Sequence, residues 1–555
     1  MIKIFLFTFL TNFFYYNLGS IVLFKNKNIQ YSIFYKTLIG AITASFIALF
    51  LNFFTPLNKD INTFLFVLVI LIFLIKTRII ITKKEIFFLL IASIISFFLI
   101  VFSNINRPDA GLYHLPYISI LNEYKIIFGL NNLHARFGHV SIIQYLSAFN
   151  NNYFFKDNGI VIPLASLASF YYIYFANEVL KIYKKKVQIN TSSLFSLSVL
   201  IYIFFNVINY SNFGNDAIAH LSFFYLISYI LKLENKFIDT TFIMLISVFI
   251  FLNKSTMIFA SIIPIFIILD KYKLELKKGI IYRNALPIIF LLLWLVKNII
   301  ISGCAIYPIT ITCIPHLSWL DINSTKAFSI ESEAWAKAWP QNNNPNLTMD
   351  IFIDNFNWIV AFSKKHLIYI FKITVTYVCA LFFLYFFLIN YNKRNNKITS
   401  IKLSKFYWLS IVTCLVGTII FSVKFPLYRY GYSYLISLII LILIYFLKNK
   451  IIEKKLIYVC KLIFFTSIII FFGKQALRTI NNYQLSYANK PWPKIYSFEN
   501  NYRIINEKIF INDNFTYYFS KNEECMFSEP PCTNYKIKEN LVAKEVSGYI
   551  LLIYK

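Results

Sequence analysis

Asp109 is the residue on which any chemistry at this chain would turn. It begins Asp109-Ala110-Gly111-Leu112-Tyr113-His114, just past a long apolar run, and Gly129-Leu130-Asn131-Asn132-Leu133-His134-Ala135-Arg136 follows shortly after. A carboxylate can take a proton from a hydroxyl, a histidine can orient it or bind an anion, and an arginine can grip phosphate oxygens with its planar fork. Farther on, Asp216 opens an apolar run, Lys254 lies between two, Lys297 sits near the end of another, and Arg429 occurs in Pro426-Leu427-Tyr428-Arg429-Tyr430-Gly431. Ionisable groups in or beside such runs are costly and point to function. Each has a plainer reading too. Asp109 and Asp216 are suited to be helix N-caps, Lys297 can reach for an interface, Arg136 can neutralise lipid headgroups, and His114, His134 and His139 can be satisfied surface histidines.

These residues need a scaffold, and composition says which kind. Hydrophobic residues make up 58% of the 555 and charged ones 14%, with a mean hydropathy of +0.62. No soluble domain of this size has such a balance. Apolar runs broken by Lys-rich or Asn-rich stretches recur from Ile2 to Phe472. A helix needs about 20 apolar residues to cross a bilayer core, which gives an all-α polytopic transmembrane bundle of about 12–14 spans. The net charge of +29 is spread in short clusters between the runs and forms no single basic face. That excludes nucleic acid as the expected partner. Ile, Phe, Tyr, Asn and Lys dominate the chain together, so aromatic richness alone is no sign of a binding site.

Alternate breaks are basic: Lys25, Lys27 and Lys36; Lys76, Arg78, Lys83 and Lys84; Lys181 to Lys186; Lys232 and Lys236; Lys271 to Arg283; Lys393 to Lys405; Lys448 to Lys455. The positive-inside rule puts these in the cytoplasm. The large loops 104–158 and 303–366 then lie outside, as do both termini. The run from Ile4 to Phe24 ends without a small-residue cleavage site and reads as a retained first helix. Residues 1–472 form the membrane domain, and 473–555 a small extracytoplasmic tail, mixed α/β or β, with alternating strand patterns in 508–519 and 545–554. The segment 117–127 is spaced for a helix on the membrane surface. Segments 239–252 and 256–269 read as a hairpin or a pair broken around Asn253 to Thr256. Cys304 with Cys313, and Cys525 with Cys532, fall outside as two close pairs and are expected to form disulfides. Cys379, Cys414 and Cys460 fall inside apolar runs as small buried hydrophobes. The tryptophans of the second loop, Trp319, Trp335, Trp339 and Trp358, read more readily as interface anchors than as sugar platforms.

The run from Asp109 through Tyr113-His114, followed by Gly129-Leu130 to His134-Ala135-Arg136, resembles a group of bacterial multi-span proteins that carry Asp-x-x-x-Tyr-His ahead of Gly-Leu-x-x-Leu-His-x-Arg. Ser302 to Pro308, Trp335 to Trp339, Pro426 to Gly431 and the Cys525 to Cys532 tail look like further landmarks of that group. More loosely, the chain is similar to the integral-membrane (C-type) glycosyltransferase superfamily in its many spans, its acid just past a transmembrane helix in a large first outer loop, and its later basic residues. That resemblance implies Asp109 as the catalytic acid residue. Tyr113, His114, His134, Arg136, Asp216, Lys254, Lys297 and Arg429 are then the candidates for holding the phosphate of a lipid-linked sugar. Several members carry two adjacent acids here, whereas Asp109 is flanked by Pro108 and Ala110. No cofactor is therefore expected with certainty, and a divalent Mg or Mn ion is left open.

The expectation is a multi-pass protein of the bacterial inner membrane that moves a sugar from a polyprenyl-phosphate donor to a glycan, lipid or protein acceptor. Its partners would be that lipid-linked donor, the acceptor and membrane lipids. A transporter or flippase of lipid-linked sugar, or an envelope-polysaccharide polymerase or ligase, is the alternative. A transporter would gather its charges near the midplane in matched halves, and no internal repeat is apparent.

Overall fold

The computed structural model describes residues 2–23, 31–77, 81–102, 109–185, 189–206, 214–233, 239–272, 284–342, 346–389, 401–481, 507–512, 515–521, 524–537 and 540–555. Pro108 and several orientation marks, Lys25, Lys27, Arg78, Lys186, Lys236, Lys277, Arg283 and Lys393 to Lys397 among them, lie outside the described residues. The protein is mostly helical. Among the described residues, nine helices are long and apolar enough to cross a membrane, from Ile2–Leu23 to Glu453–Leu477, and four shorter apolar helices lie between Thr191 and Asp270.

Outward-facing positions on several helices are apolar as well. Phe64 and Leu74, Phe371 and Phe383, and Ile469 are all large, hydrophobic and exposed. An exterior of this kind is compatible with lipid and costly in water. Two sets of ion pairs stand out among the described residues, beside Lys337 and Lys424 with Glu333, Lys405 with Asp270 and Lys521 with Glu507. Lys36 meets Glu85 at 2.8 Å, and Lys181 and Lys232 meet Glu178 at 2.6 and 3.0 Å. The other set joins Asp109, Arg136, Asp216, Lys254 and Arg429. No described ion pair mixes residues of the two sets.

The first large loop folds as short helical pieces: a π-helical turn Ala110–His114, a helix Leu115–Glu123, single turns at Leu130–Asn132 and Ala135–His139, and a helix Ile142–Phe149. The surface helix expected over 117–127 is instead buried from Leu115 to Asn122, because the bundle packs around it: the Tyr117 and Tyr145 hydroxyls bond at 2.9 Å, Asn122 Nδ2 donates to Leu57 O at 2.6 Å and to Ala148 O at 3.0 Å, and the tail touches it through Ser119. The broken pair around Lys254 is a real break. Helix Thr240–Asn253 ends, Lys254 is extended, and a 3-10 turn Ser255–Ser261 leads into helix Ile262–Tyr272.

The tail is β-structured. Strands β1 (Glu507–Asn512), β2 (Phe515–Phe519) and β3 (Cys532–Thr533) make one sheet, with β1 antiparallel and β3 parallel to β2. Strands β4 (Leu541–Val546) and β5 (Tyr549–Tyr554) make an antiparallel hairpin. Both expected disulfides are formed, Cys304 to Cys313 and Cys525 to Cys532. Of the free cysteines, Cys414 and Cys460 are buried and Cys379 is exposed. In the second large loop, Ala334, Phe352 and Trp358 form a small core of their own, and the Trp319 indole donates to Ile299 O at 2.9 Å. Trp358 and Trp319 are thus accounted for by packing.

Candidate functional site

Four separate stretches of chain build one ionic cluster. Asp109 lies at the start of the π-helical turn, with helical backbone angles and no capping bond from its side chain. Its carboxylate turns away from the helix end. Oδ1 lies 3.6 Å from Arg136 Nη1, and Oδ2 lies 3.3 Å from Arg429 Nη1. Both contacts are looser than the ~2.7–2.9 Å of a tight charge-assisted bond. All three side chains keep part of their surface open, 29% for Asp109, 42% for Arg136 and 41% for Arg429.

Asp216 is likewise not a cap. Asn215 occupies the N-cap position of helix Asp216–Leu231, and Asp216 pairs with Lys254. Lys254, almost fully buried, also donates to Arg429 O at 2.7 Å. Burial, opposed by Asp216, brings its pKa down to about 8. The break after Asn253 explains how a lysine reaches this place: an extended residue between two helices can turn inward without unsatisfying a continuous backbone ladder.

A residue not foreseen from the sequence completes the cluster. His220 is fully buried one helical turn past Asp216, with Nε2 2.9 Å from Arg429 O and Nδ1 2.7 Å from Ser433 Oγ. A carbonyl can only accept, so Nε2 carries the proton and Ser433 donates to Nδ1. The Arg429 carbonyl is thus held by two donors, His220 and Lys254. The signal in the sequence was the i, i+4 spacing of Asp216 and His220, which puts both on one helix face.

His114 is fixed by a capping box. Ser141 N donates to Gln144 Oε1 at 2.7 Å, which leaves the Gln144 amide nitrogen to face His114 Nδ1 at 2.6 Å. Nδ1 therefore accepts, and the ring proton sits on Nε2. Burial pushes the His114 pKa down to about 4 against the pull of Asp109 and Asp216. Tyr113 stacks under Arg136, whose guanidinium carbon is 5.0 Å from the ring centre. His139 is exposed, yet the surrounding protein, with Arg136, Lys297 and Lys254 in range, pushes it down to about 4.

Two candidates stand apart. His134 caps its own turn, accepting from Arg136 N at 3.1 Å, and its ring packs on Phe137 and on Tyr535 of the tail. Lys297 is wholly buried, its ammonium 3.6 Å from the centre of the Trp294 ring and without a hydrogen-bond partner among the described residues. Among the described residues no group of three His, Cys, Asp or Glu gathers to hold a metal ion. Asp109 and Asp216 are each paired with cations.

The tail seats the loop that carries Asp109 and Arg136. Met526 N donates to Gly111 O at 2.9 Å and Ser119 Oγ to Ser528 O at 2.8 Å. On the other flank Phe128 N donates to Ile550 O at 2.9 Å, and Asn132 Nδ2 to Leu552 O at 3.0 Å. Gly129 is needed between them: its φ is +68°, and a Cβ there would lie 2.3 Å from Leu552 O.

An apolar cavity of about 360 Å3 adjoins the cluster, with Asp216, Arg429 and His366 on its wall. Fold and site together define a many-helix protein with a charged crevice at one end of an apolar bundle. The profile of a family described as a domain of unknown function (DUF8201) matches residues 1–436, and the chain belongs to that family. A search of curated proteins and a search of solved structures each returned no match.

Proposed function

We propose that this protein is a membrane-embedded glycosyltransferase that takes a sugar from a polyprenyl-phosphate donor and passes it to a hydroxyl of an envelope glycan, lipid or protein on the outer face. The observation that carries the reading is Asp109 held between Arg136 and Arg429 with all three side chains partly open. In the reaction, the bond between the sugar's anomeric carbon and the phosphate oxygen breaks, and a bond to the acceptor oxygen forms. The acceptor proton passes to Asp109, and the phosphate departs as an anion onto Arg429 and Arg136. General-base assistance of this kind contributes about 10²–10⁴-fold. The loose contacts of Asp109 favour the reading, since an entering phosphate can take over the guanidinium groups and free the carboxylate. The positive-inside reading of the basic clusters favours a crevice on the outer face.

Two features weigh against a transporter. The acids and cations of the cluster lie at helix ends and in loops, and the cations are anchored by backbone and ring contacts. The test is transfer in proteoliposomes holding a polyprenyl-phosphate sugar and a soluble acceptor. Product formed without any solute gradient supports the enzyme; movement of lipid-linked sugar across the bilayer without product replaces it with a flippase.

A further inference from the structure

The cavity beside Arg429 is unlike the crevice above it. Its wall is made mostly of rings and aliphatic groups, with Tyr172, Tyr202, Phe224, Tyr428 and Tyr432 as its largest members. The hydroxyls of Tyr202 and Tyr428 bond to each other at 2.7 Å, so they present ring faces with their polar ends already satisfied. Charge on the wall comes from Asp216 and Arg429, with His366, Tyr172, Tyr369 and Tyr432 adding polar groups. Arg429 stands on this wall with 41% of its side chain open, so its guanidinium can meet an entering anion.

One wall is thin. Helix Ile368–Leu388 lends Tyr369 and Ile370 to the cavity, yet no residue from Phe362 to Thr376 is buried; the helix seats into the bundle only from Tyr377 onward. At the height of the cavity this helix is largely exposed and meets the wall through Tyr369, whose ring lies 6.0 Å from that of Tyr428.

We infer that this cavity takes the first isoprene units of a polyisoprenoid phosphate, with the phosphate on Arg429 and the rest of the chain leaving sideways past Tyr369 and Ile370. The inference rests on the proposed transferase and adds the place and path of its lipid. Size agrees. At the ~30 Å3 that one water-sized group fills, the volume of about 360 Å3 holds about a dozen heavy atoms, which is two isoprene units of five carbons each. A longer chain cannot be enclosed and must exit where the wall is thin. Arg429 then joins the two compartments, facing Asp109 on one side and the lipid on the other.

The experiment uses the full chain in nanodiscs and sugar-free undecaprenyl phosphate carrying a diazirine in its second isoprene unit. Irradiation is expected to label peptides holding Leu221, Tyr369 or Ile370, and excess unlabelled undecaprenyl phosphate is expected to compete. Leu221→Trp, which fills the cavity, is expected to cut labelling at least about tenfold, the effect of overpacking a fitted site, with unchanged thermal unfolding. Labels elsewhere in wild type overturn the inference without need of any variant. So does equal competition by phosphatidic acid, which makes the cavity a seat for ordinary bilayer lipid. Labelling as expected without sugar transfer leaves this inference standing and removes the transferase. Transfer with labels elsewhere does the reverse.

Discussion

Asp109 and Arg429 are 320 positions apart in the chain, and their side chains meet at 3.3 Å. The contact ties the first large loop to the start of helix Tyr428–Leu447. If it marks the reacting centre, Asp109→Asn removes the base without changing side-chain shape. Transfer is expected to fall by about 10²–10⁴-fold, while helical content and membrane insertion stay as in wild type. An Asp109→Asn protein with full activity takes Asp109 out of the role of base.

Lys254 supplies a pH test. With its pKa at about 8, it carries its charge below that pH and loses it above. Transfer is therefore expected to decline as pH rises through about 8. Lys254→Arg keeps the charge to far higher pH and is expected to abolish this falling limb. A decline unchanged in Lys254→Arg assigns the titration to another group.

The same cluster shows what can be read from a sequence of this kind. Asp109, Arg136, Asp216, Lys254 and Arg429 stood out because a charge beside an apolar run is rare, and rarity carries information. Their convergence was not written in any spacing, since four stretches of chain meet only when the helices pack. His220 went unnoticed for the opposite reason: it lies inside an apolar helix, where a polar residue looks incidental until its partners are known. Lys297 stands out by its place near the end of an apolar run and His134 by its place in Gly129 to Arg136, and neither signal says which way a side chain points. The strands of the tail are legible from alternation, but the seat of β5 on Phe128 and Asn132 is not, because backbone bonds between distant segments leave no pattern in either; nor is the burial of Leu115–Asn122, because the apolar spacing of that helix serves a membrane surface and a protein surface equally well.

His134 offers a stability test apart from activity. Burial pushes its pKa down to about 4, below the ~6.5 of an unfolded chain. Its contribution is present above pH ~6.5 and is lost as the pH falls toward the folded value, because the unfolded state takes up the proton first. His134→Asn keeps an N-cap acceptor and removes the titration. The wild-type melting temperature is expected to drop more steeply than that of His134→Asn between pH 7 and 4.5. Parallel curves place the acid sensitivity elsewhere.

Gly111 tests the seat of the tail. A Cβ at this position would lie 2.6 Å from Met526 Sδ and 2.9 Å from Glu524 Oε2. Gly111→Val is expected to cost about 1–3 kcal/mol by overpacking and to expose the Cys525 to Cys532 segment to limited proteolysis. Unchanged protection in Gly111→Val shows that the tail does not depend on this contact.

Met526, Ser528, Ile550 and Leu552 are translated after every helix of the bundle, and their backbone groups receive or supply the bonds that steady both flanks of the loop bearing Asp109 and Arg136. A nascent chain can thus have its whole apolar framework in place while its acid still lacks a fixed address. The position of that acid is settled last, by the end of the chain.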